Sequence, residues 1–548
     1  MIYNLKYKLM KKTLTLVLAL FLVLNSYAQG LGELNTNFGN GGSITFDLSV
    51  SHDKMEKILV QNDGKILTVG GARVGGDNYS IYVSRHNADG TLDETYGENG
   101  IAYFKAIPNI YMNYAFDAAL HEDNNLFITG YTFDYNNNTG FVLCLDENGF
   151  ENTEFGENGF AISEFGGGIV YDAIDIDKKG RPIVAGYIED QILVRRYNTK
   201  GKLDATFGKD GTSIITLDPT PLAYCYAYDV VVLDNGKILI TGHKVTADMI
   251  YTAYLLRLNT NGTLDNTFAD NGVLYLDAGK QPNFPEYAVS ISVQADGKYI
   301  VGGHDDLPSG NSNLIRSEAF ITRVNTNGTI DEIFGTNGIV RFEPFEGEGC
   351  TNTTASVLAT EDGQIFGTIY SYNANSIASR AYIYNLDANG NLKEDFAGSG
   401  IMALPKIDEE EVTITTKSLA LKDNNNLLVG GYVALDYTSA LKIFISDINI
   451  DVNGEKPNPE EPETPSESIE EHTSSLLLYP NPVNDRLYIE TEVEVEEVVV
   501  YDIYGRCQEL SAVSCQPSVI DVTDLKSGVY FVKVVTENGE AVKRIVKK

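Results

Sequence analysis

The eleven-residue phrase GTLDETYGENG (90–100) occurs seven times in this chain. It returns as GELNTNFGNGG from 32, GFENTEFGENG from 149, GKLDATFGKDG from 201, GTLDNTFADNG from 262, GTIDEIFGTNG from 328 and GNLKEDFAGSG from 390. The copies start 52 to 66 residues apart. A period of that length restricts the chain to a propeller, a solenoid or an array, because one unit is too small to bury its own faces. A second phrase keeps step with the first: NDGKILTVGG, EDNNLFITG, DKKGRPIVAG, DNGKILITG, ADGKYIVGG, EDGQIFGTI and KDNNNLLVGG.

Comparing the copies separates frame from chemistry. The first and last positions of the first phrase are glycine in every copy, and the seventh is always aromatic: Phe38, Tyr96, Phe155, Phe207, Phe268, Phe334 and Phe396. The fourth reads Asn35, Asp93, Asn152, Asp204, Asp265, Asp331 and Lys393. A cation ligand or catalytic acid cannot become lysine and keep its role. The phrase therefore reads as a turn with a packing knob, since glycine permits positive φ and a ring fills a gap. On this reading Asp93→Asn costs little.

The unit between phrases reads as four strands, in the second copy IAYFKA, AFDAALHE, NLFITGYT and GFVLCLDE, all short apolar or alternating runs. Four antiparallel strands per unit, seven times over, predict an all-β, seven-bladed β-propeller over residues 29–450, with the phrases linking blade to blade. Residues 31–48 are expected to meet residues 440–450 where the ring closes. The pattern resembles the delta-60 repeat family of bacterial extracellular proteins, with G-x-L-D-x-x-F-G-x-x-G beside D-G-K-[IL], over residues 31–450. That resemblance implies a β-propeller and brings no catalytic residues with it.

Lys11 and Lys12, the apolar run Leu14 to Leu24 and the small-residue site Ser26-Tyr27-Ala28 stand in the order of a secretory signal peptide, residues 1–28. No other segment is long and apolar enough to cross a membrane. The net charge of −35 would repel nucleic-acid phosphates. The five cysteines match no zinc spacing, and neither a metal nor a cofactor is expected. Cys507 and Cys515 could pair outside the cell.

After Ile450 the text turns to prolines and carboxylates, an extended acidic linker over 451–473. Alternating strands return over 474–548 and predict a small, immunoglobulin-like β-sandwich. This stretch is similar to the type A sorting domain of the type IX secretion system. The matching residues are Tyr479-Pro480-Asn481-Pro482, Asp502 with Gly505, Leu525, Gly528-Val529-Tyr530 and Lys547-Lys548. The resemblance implies the secretion machinery and its processing protease as partners, then release or attachment to surface lipopolysaccharide.

Loops of antiparallel strands fall on two faces by parity. The phrases occupy one face; irregular loops rich in Tyr and Asn occupy the other, where Tyr135, Tyr251 and Tyr372 are candidate binding residues for a glycan or a surface protein. No catalytic set stands out; the nearest are His304, Asp305 and Asp306, placed in the longest of these loops. Three readings stay open: a secreted or surface binding protein, a secreted hydrolase or lyase, and a passive coat component.

Overall fold

The computed structural model describes two compact units. In the first it covers residues 30–452 except 50–51, 75–78, 109, 111, 135, 164–167, 277–284, 309–314, 345–349, 374–377, 407–412 and 435–440. In the second it covers 477–479, 483–490, 495–502, 507–508, 519–523, 525–526, 528–536 and 539–548. The signal segment, most of the linker, Tyr135, Pro480, Asn481, Pro482, Gly505 and Cys515 lie outside the described residues.

The first unit is seven four-stranded antiparallel sheets, two of them joined by a single parallel bridge between Ser317 and Thr351. Each sheet packs on the next, and the seventh packs back on the first. The second blade runs from the innermost strand Met112–Leu120 through Leu126–Phe133 and Asn138–Leu145 to the outermost, Phe160–Ile162. The blade is therefore offset by one strand from the unit read in the sequence. IAYFKA is not the first strand of the second blade but the last of the first blade (Ile101–Phe104). The phrase accordingly links the third and fourth strands within a blade, and the irregular loops make the crossing between blades.

The offset closes the ring. Ser43–Phe46 pairs with Leu441–Asn449 and completes the seventh blade from the other end of the chain. Buried side chains fill the seams between neighbouring blades. One cluster joins Val69, Ile81 and Val83 of the first blade to Ala115, Ile128 and Phe141 of the second, and another joins Met55 and Tyr82 to Leu428 and Ile443 across the closure.

The phrases touch one another around the ring. In every copy the amide at the eighth position donates to the carbonyl just before the next copy: Gly39 to Asp89, Gly97 to Asn148, Gly156 to Lys200, Gly208 to Asn261, Ala269 to Asn327, Gly335 to Asn389 and Ala397 to Leu31, all at 2.7–3.0 Å. The leading glycine lies against the aromatic ring of the previous copy. A Cβ on Gly149 would come 2.6 Å from the Tyr96 ring, and the backbone there has φ +87°. Both reasons forbid a side chain.

The fourth position of the phrase is not dispensable. In four blades its carboxylate meets an arginine from the end of the third strand: Arg85–Asp93 (2.7 Å), Arg196–Asp204 (2.9 Å), Arg257–Asp265 (2.7 Å) and Arg323–Asp331 (2.9 Å). A cation from the second phrase joins the same carboxylate, from Lys65 (3.0 Å), Arg181 (2.7 Å), Lys237 (2.7 Å) or Lys298 (2.9 Å). Each arginine also lies 4.5–4.8 Å over the aromatic ring of its phrase and donates to a carbonyl two residues before the next copy, as Arg85 does to Glu147 (2.6 Å).

Where the aspartate is missing, the arginine is missing too. The second blade has Asn125, Cys144 and Asn152, and the sixth has Gln364, Asn385 and Lys393. In the closing blade Asp447 takes the arginine's place and Asn35 the aspartate's. Lys422 supplies the cation, 2.6 Å from Asp447 and 5.2 Å over the Phe38 ring.

Each innermost strand carries a β-bulge at one equivalent place, at Glu56, Phe116, Asp172, Tyr228, Val289, Ala355 and Lys417. Below the bulges, side chains bind the open edge of the next innermost strand. Asp117 accepts from the Ile174 amide (3.0 Å), Asp175 from Val232 (2.7 Å), Asp229 from Ile291 (2.7 Å), and Ser290 from Val357 (3.2 Å). Lys57 sits among these carboxylates, 2.8 Å from Asp117. They close backbone hydrogen bonds that a sheet edge would leave open.

The second unit has two sheets, Leu477–Tyr479, Arg486–Glu490 and Val519–Asp521 in one, and Cys507–Gln508, Val495–Asp502, Gly528–Thr536 and Gly539–Lys547 in the other. Leu487, Ile489 and Ile520 of the first share a core with Val500, Val532, Val534 and Ile545 of the second, which makes a sandwich.

Two predictions follow from these pairings. Asp265→Asn leaves the buried Arg257 short of its counter-charge and should lower the unfolding free energy by about 3–5 kcal/mol in a denaturant titration. Asn152→Ala, with no arginine opposite it, should cost about 1 kcal/mol or less. The carboxyls also set opposite pH slopes. The Asp204 carboxyl is lowered to about 2, because its bonds to Thr206 and the Arg196 charge outweigh burial. Its contribution is present above the unfolded value of about 3.9 and is lost as pH falls toward 2. Burial, against the pull of Lys57, raises Asp229 to about 7, and burial raises Asp175 to about 6. These two hold protons the unfolded chain has shed, so stability should decline as pH rises from about 4 to 7. Asp229→Asn keeps an acceptor for Ile291 and should flatten that decline in melts recorded from pH 3 to 8.

Candidate functional site

The bulge brings the two inner strands of each blade unusually close. A Cβ on Gly130 would lie 1.8 Å from the Tyr114 carbonyl oxygen, and one on Gly242 or Gly431 would lie 1.9 Å from the Tyr226 or Thr415 oxygen. Glycine stands there in six blades and Ile369 in the sixth, and the residue after it lands opposite one of the first four residues of the innermost strand, near the irregular-loop end. That residue is Gly71 in the first blade and then Tyr131, Tyr187, His243, His304, Tyr370 and Tyr432. Six of seven blades thus place an aromatic ring at the same height around the channel.

On blades two to five the rings gather in two runs. Tyr114 lies 5.3 Å from Tyr79 of the first blade and 5.4 Å from Tyr131, and Phe116 lies 5.5 Å from Tyr131. Tyr187 meets Tyr226 of the fourth blade edge-on at 4.8 Å. His243 lies 5.2 Å from Tyr226, 5.4 Å from Tyr228, 5.6 Å from Tyr251 and 4.9 Å from Tyr287 of the fifth blade. Tyr287 stacks on His304 at 4.7 Å. The tyrosines of this arc are half-buried, with one edge open.

The polar atoms inside the arc are under-used. His243 Nδ1, His304 Nδ1 and Asp172 Oδ2 are buried without a hydrogen-bond partner. Burial lowers both histidines to about 4, with His243 adding to the effect on His304, so both are neutral at pH 7. Burial raises Asp172 to about 7. The far side of the channel differs in charge, for Lys417 pairs with Glu56 at 2.7 Å and Lys54 lies 5.8 Å from the Tyr432 ring.

The structure distributes the sequence candidates unevenly. Tyr251 opens the strand Tyr251–Leu258 and stands in the arc. Tyr372 lies on the sixth blade, in Ile365–Asn373, and among the described residues makes no ring contact with the arc. His304, Asp305 and Asp306 belong to the strand Tyr299–Pro308 rather than a loop. They do not all converge: Asp305 is 1% exposed and bonded to Arg341 (2.6 Å), Asp306 takes the Ser317 hydroxyl (2.6 Å), and of the three His304 alone makes ring contacts in the arc. Alternation sends Asp305 to the face opposite His304, whereas Asp306 shares the His304 side and, after burial, raises the Tyr287 hydroxyl pKa. Sequence reading missed Asp172, Tyr187, Tyr226 and Tyr287. A signal for the ring was present, since glycine-aromatic steps recur in the second phrase as ITGY, VAGY, ITGH, VGGH and VGGY. A rim groove of about 1090 Å³ along Ile162, Leu203, Ile214 and Leu264 is mostly apolar and gathers no comparable polar set.

In the second unit Tyr530 donates to the Lys526 carbonyl (3.0 Å), and Gly528 lies against the Tyr530 ring. Among the described residues no group of three metal-binding side chains converges, and no helix is long and apolar enough to cross a membrane.

Comparison with known proteins agrees with both units. Residues 477–548 match the family model of the secretion system C-terminal sorting domain. Residues 61–96 and 233–268 match the domain of unknown function DUF5122, a beta-propeller. Each of the latter spans runs from the second phrase to the aromatic of the first, the stretch that carries the clamp. Similar solved structures include a protein of unknown function from Dyadobacter fermentans (12% identity, 75% of this chain and 98% of that one, TM-score 0.38). The propeller domain of the Trilobed protease from Pyrococcus furiosus is also similar (9%, 74% and 98%, TM-score 0.37), as is an endo-arabinase from Bacteroides thetaiotaomicron (13%, 51% and 93%, TM-score 0.30). No protein of curated function matches the chain. A propeller followed by this sorting domain identifies the chain as an all-β propeller protein that the type IX secretion system exports to the cell surface or the medium.

Proposed function

We propose that the exported propeller is a binding protein whose aromatic arc on the irregular-loop face holds a glycan. The observation that carries this is the run of half-buried rings from Tyr114 to His304, with unpartnered polar atoms between them. Sugar rings present apolar faces that stack on tyrosine and hydroxyls that need buried partners. Tyrosine provides both contacts at low entropic cost. The arc crosses four blades, so a ligand of several sugar units suits it better than a monosaccharide.

The test is a glycan array followed by calorimetric titration of the exported protein. Tyr251→Ala and Tyr287→Ala should each weaken binding by tenfold or more while the melting temperature shifts by only about 2 °C. Tyr372→Ala, away from the arc, should bind as the parent does. Loss of binding with Tyr372→Ala alone would move the site to the sixth blade. Shortening of the bound glycan during incubation would favour a hydrolase on the same frame.

Export has its own test. Deletion of residues 477–548 should leave a folded propeller retained in the periplasm, read by fractionation and protease resistance. Its appearance in the medium or on the surface would separate export from the sorting domain.

A further inference from the structure

The floor of the arc holds a carboxyl group that the rest of the protein does not explain. Asp172 is the bulge residue of the third innermost strand, Val170–Ile176, between the bulged Phe116 and Tyr228 of the flanking blades. The other buried carboxylates described above have partners. Asp117 has Lys57, Asp305 has Arg341, Asp447 has Lys422, and Asp175 and Asp229 take backbone amides. Asp172 has no ion-pair partner among the described residues, and its Oδ2 has no hydrogen bond. Holding such a group ionised without a partner is unfavourable, and burial raises its pKa accordingly.

Its surroundings are tyrosines. After burial, the Asp172 charge is the next cause that raises the hydroxyl pKa of Tyr131, Tyr187, Tyr226 and Tyr228, so all four phenols lie within its Coulombic reach. The residue as a whole is half-buried, although its Oδ2 is covered. A carboxylate bordered by aromatic rings attracts an organic cation twice, by charge and by the ring quadrupoles.

We propose that Asp172 seats a protonated amine, and that the glycan of the arc is one bearing free amino groups, a de-N-acetylated hexosamine oligomer. This rests on the glycan reading above. The same carboxylate would repel an acidic sugar, and the neutral His243 and His304 would not offset it. An N-acetyl group can donate an amide N–H but brings no positive charge, and so gives Asp172 no counter-charge. A lysine-rich protein segment offers the same ammonium, but it has no ring faces to spread over the stacked tyrosines of four blades.

The experiment titrates the full exported protein with three tetrasaccharides of equal length, of glucosamine, N-acetylglucosamine and glucose, and with a tetralysine peptide. The glucosamine tetramer should bind at least tenfold more tightly than the other three. Asp172→Asn, with its fold verified by melting, should bring the two amino-sugar oligomers within about twofold of each other. Tyr287→Ala should weaken whichever sugars bind. Equal binding of acetylated and free oligomers by the parent protein overturns the amine and leaves the glycan reading standing. A preference for glucosamine that survives Asp172→Asn overturns the assignment to Asp172. Tighter binding of tetralysine than of any sugar overturns both readings, as does binding of none of the probes together with a blank array.

Discussion

The structure depends on the clamp between the third strand of a blade and its phrase. An arginine holds the aspartate of its own phrase, lies over the phrase's aromatic ring and reaches a carbonyl of the next blade. One side chain thus ties strand to turn and blade to blade. Buried pairs of this kind contribute little net stability, because desolvation offsets attraction. Their strength is in specificity, since a blade that slips or is misordered would bury an unpaired charge. The seven amide-to-carbonyl bonds between successive phrases continue the same belt without interruption through the closure.

This belt leaves the opposite face free. Strand alternation and the bulge decide what that face displays, because the bulge turns one extra residue of each innermost strand toward the channel mouth. In six blades the glycine opposite the bulge lets the strands approach, and in all seven the next residue is set at a constant height. Four of the six rings at that height belong to the arc, joined across blades by Tyr187 with Tyr226 and His243 with Tyr287. The binding face is therefore a consequence of the frame's defect, repeated seven times, rather than of the loops alone.

The two faces also divide the ionisable groups. On the phrase side the aspartates of the phrases are matched by arginine and lysine and held down in pKa, while burial raises Asp447 in the closing blade. In the channel they are matched by amides and by Lys57 and Lys417, and Asp172 above them has no ion-pair partner among the described residues. A protein of net charge −35 has carboxylates to spare on its surface. One kept under aromatic rings without a partner has a different cause.

The period of the repeat, the invariant glycines and aromatics, and the signatures of residues 474–548 were enough to determine an all-β ring and its export. Those features act locally, through turn geometry and strand alternation, and local rules are written in adjacent residues. Tertiary structure alone decided the rest. The fourth position of the phrase looked replaceable because its partner stands eight residues back or on the second phrase, and only the fold shows that Asp93 and Arg85 vary together. The unit boundary was misplaced by one strand because hydrogen bonding, not sequence order, assigns the outermost strand to its blade. Tyr251 and His304 come from different blades, and Asp172 from a third. Their meeting depends on the curvature of a closed ring, which sums the small rotation between every pair of neighbouring sheets and is encoded in no single segment.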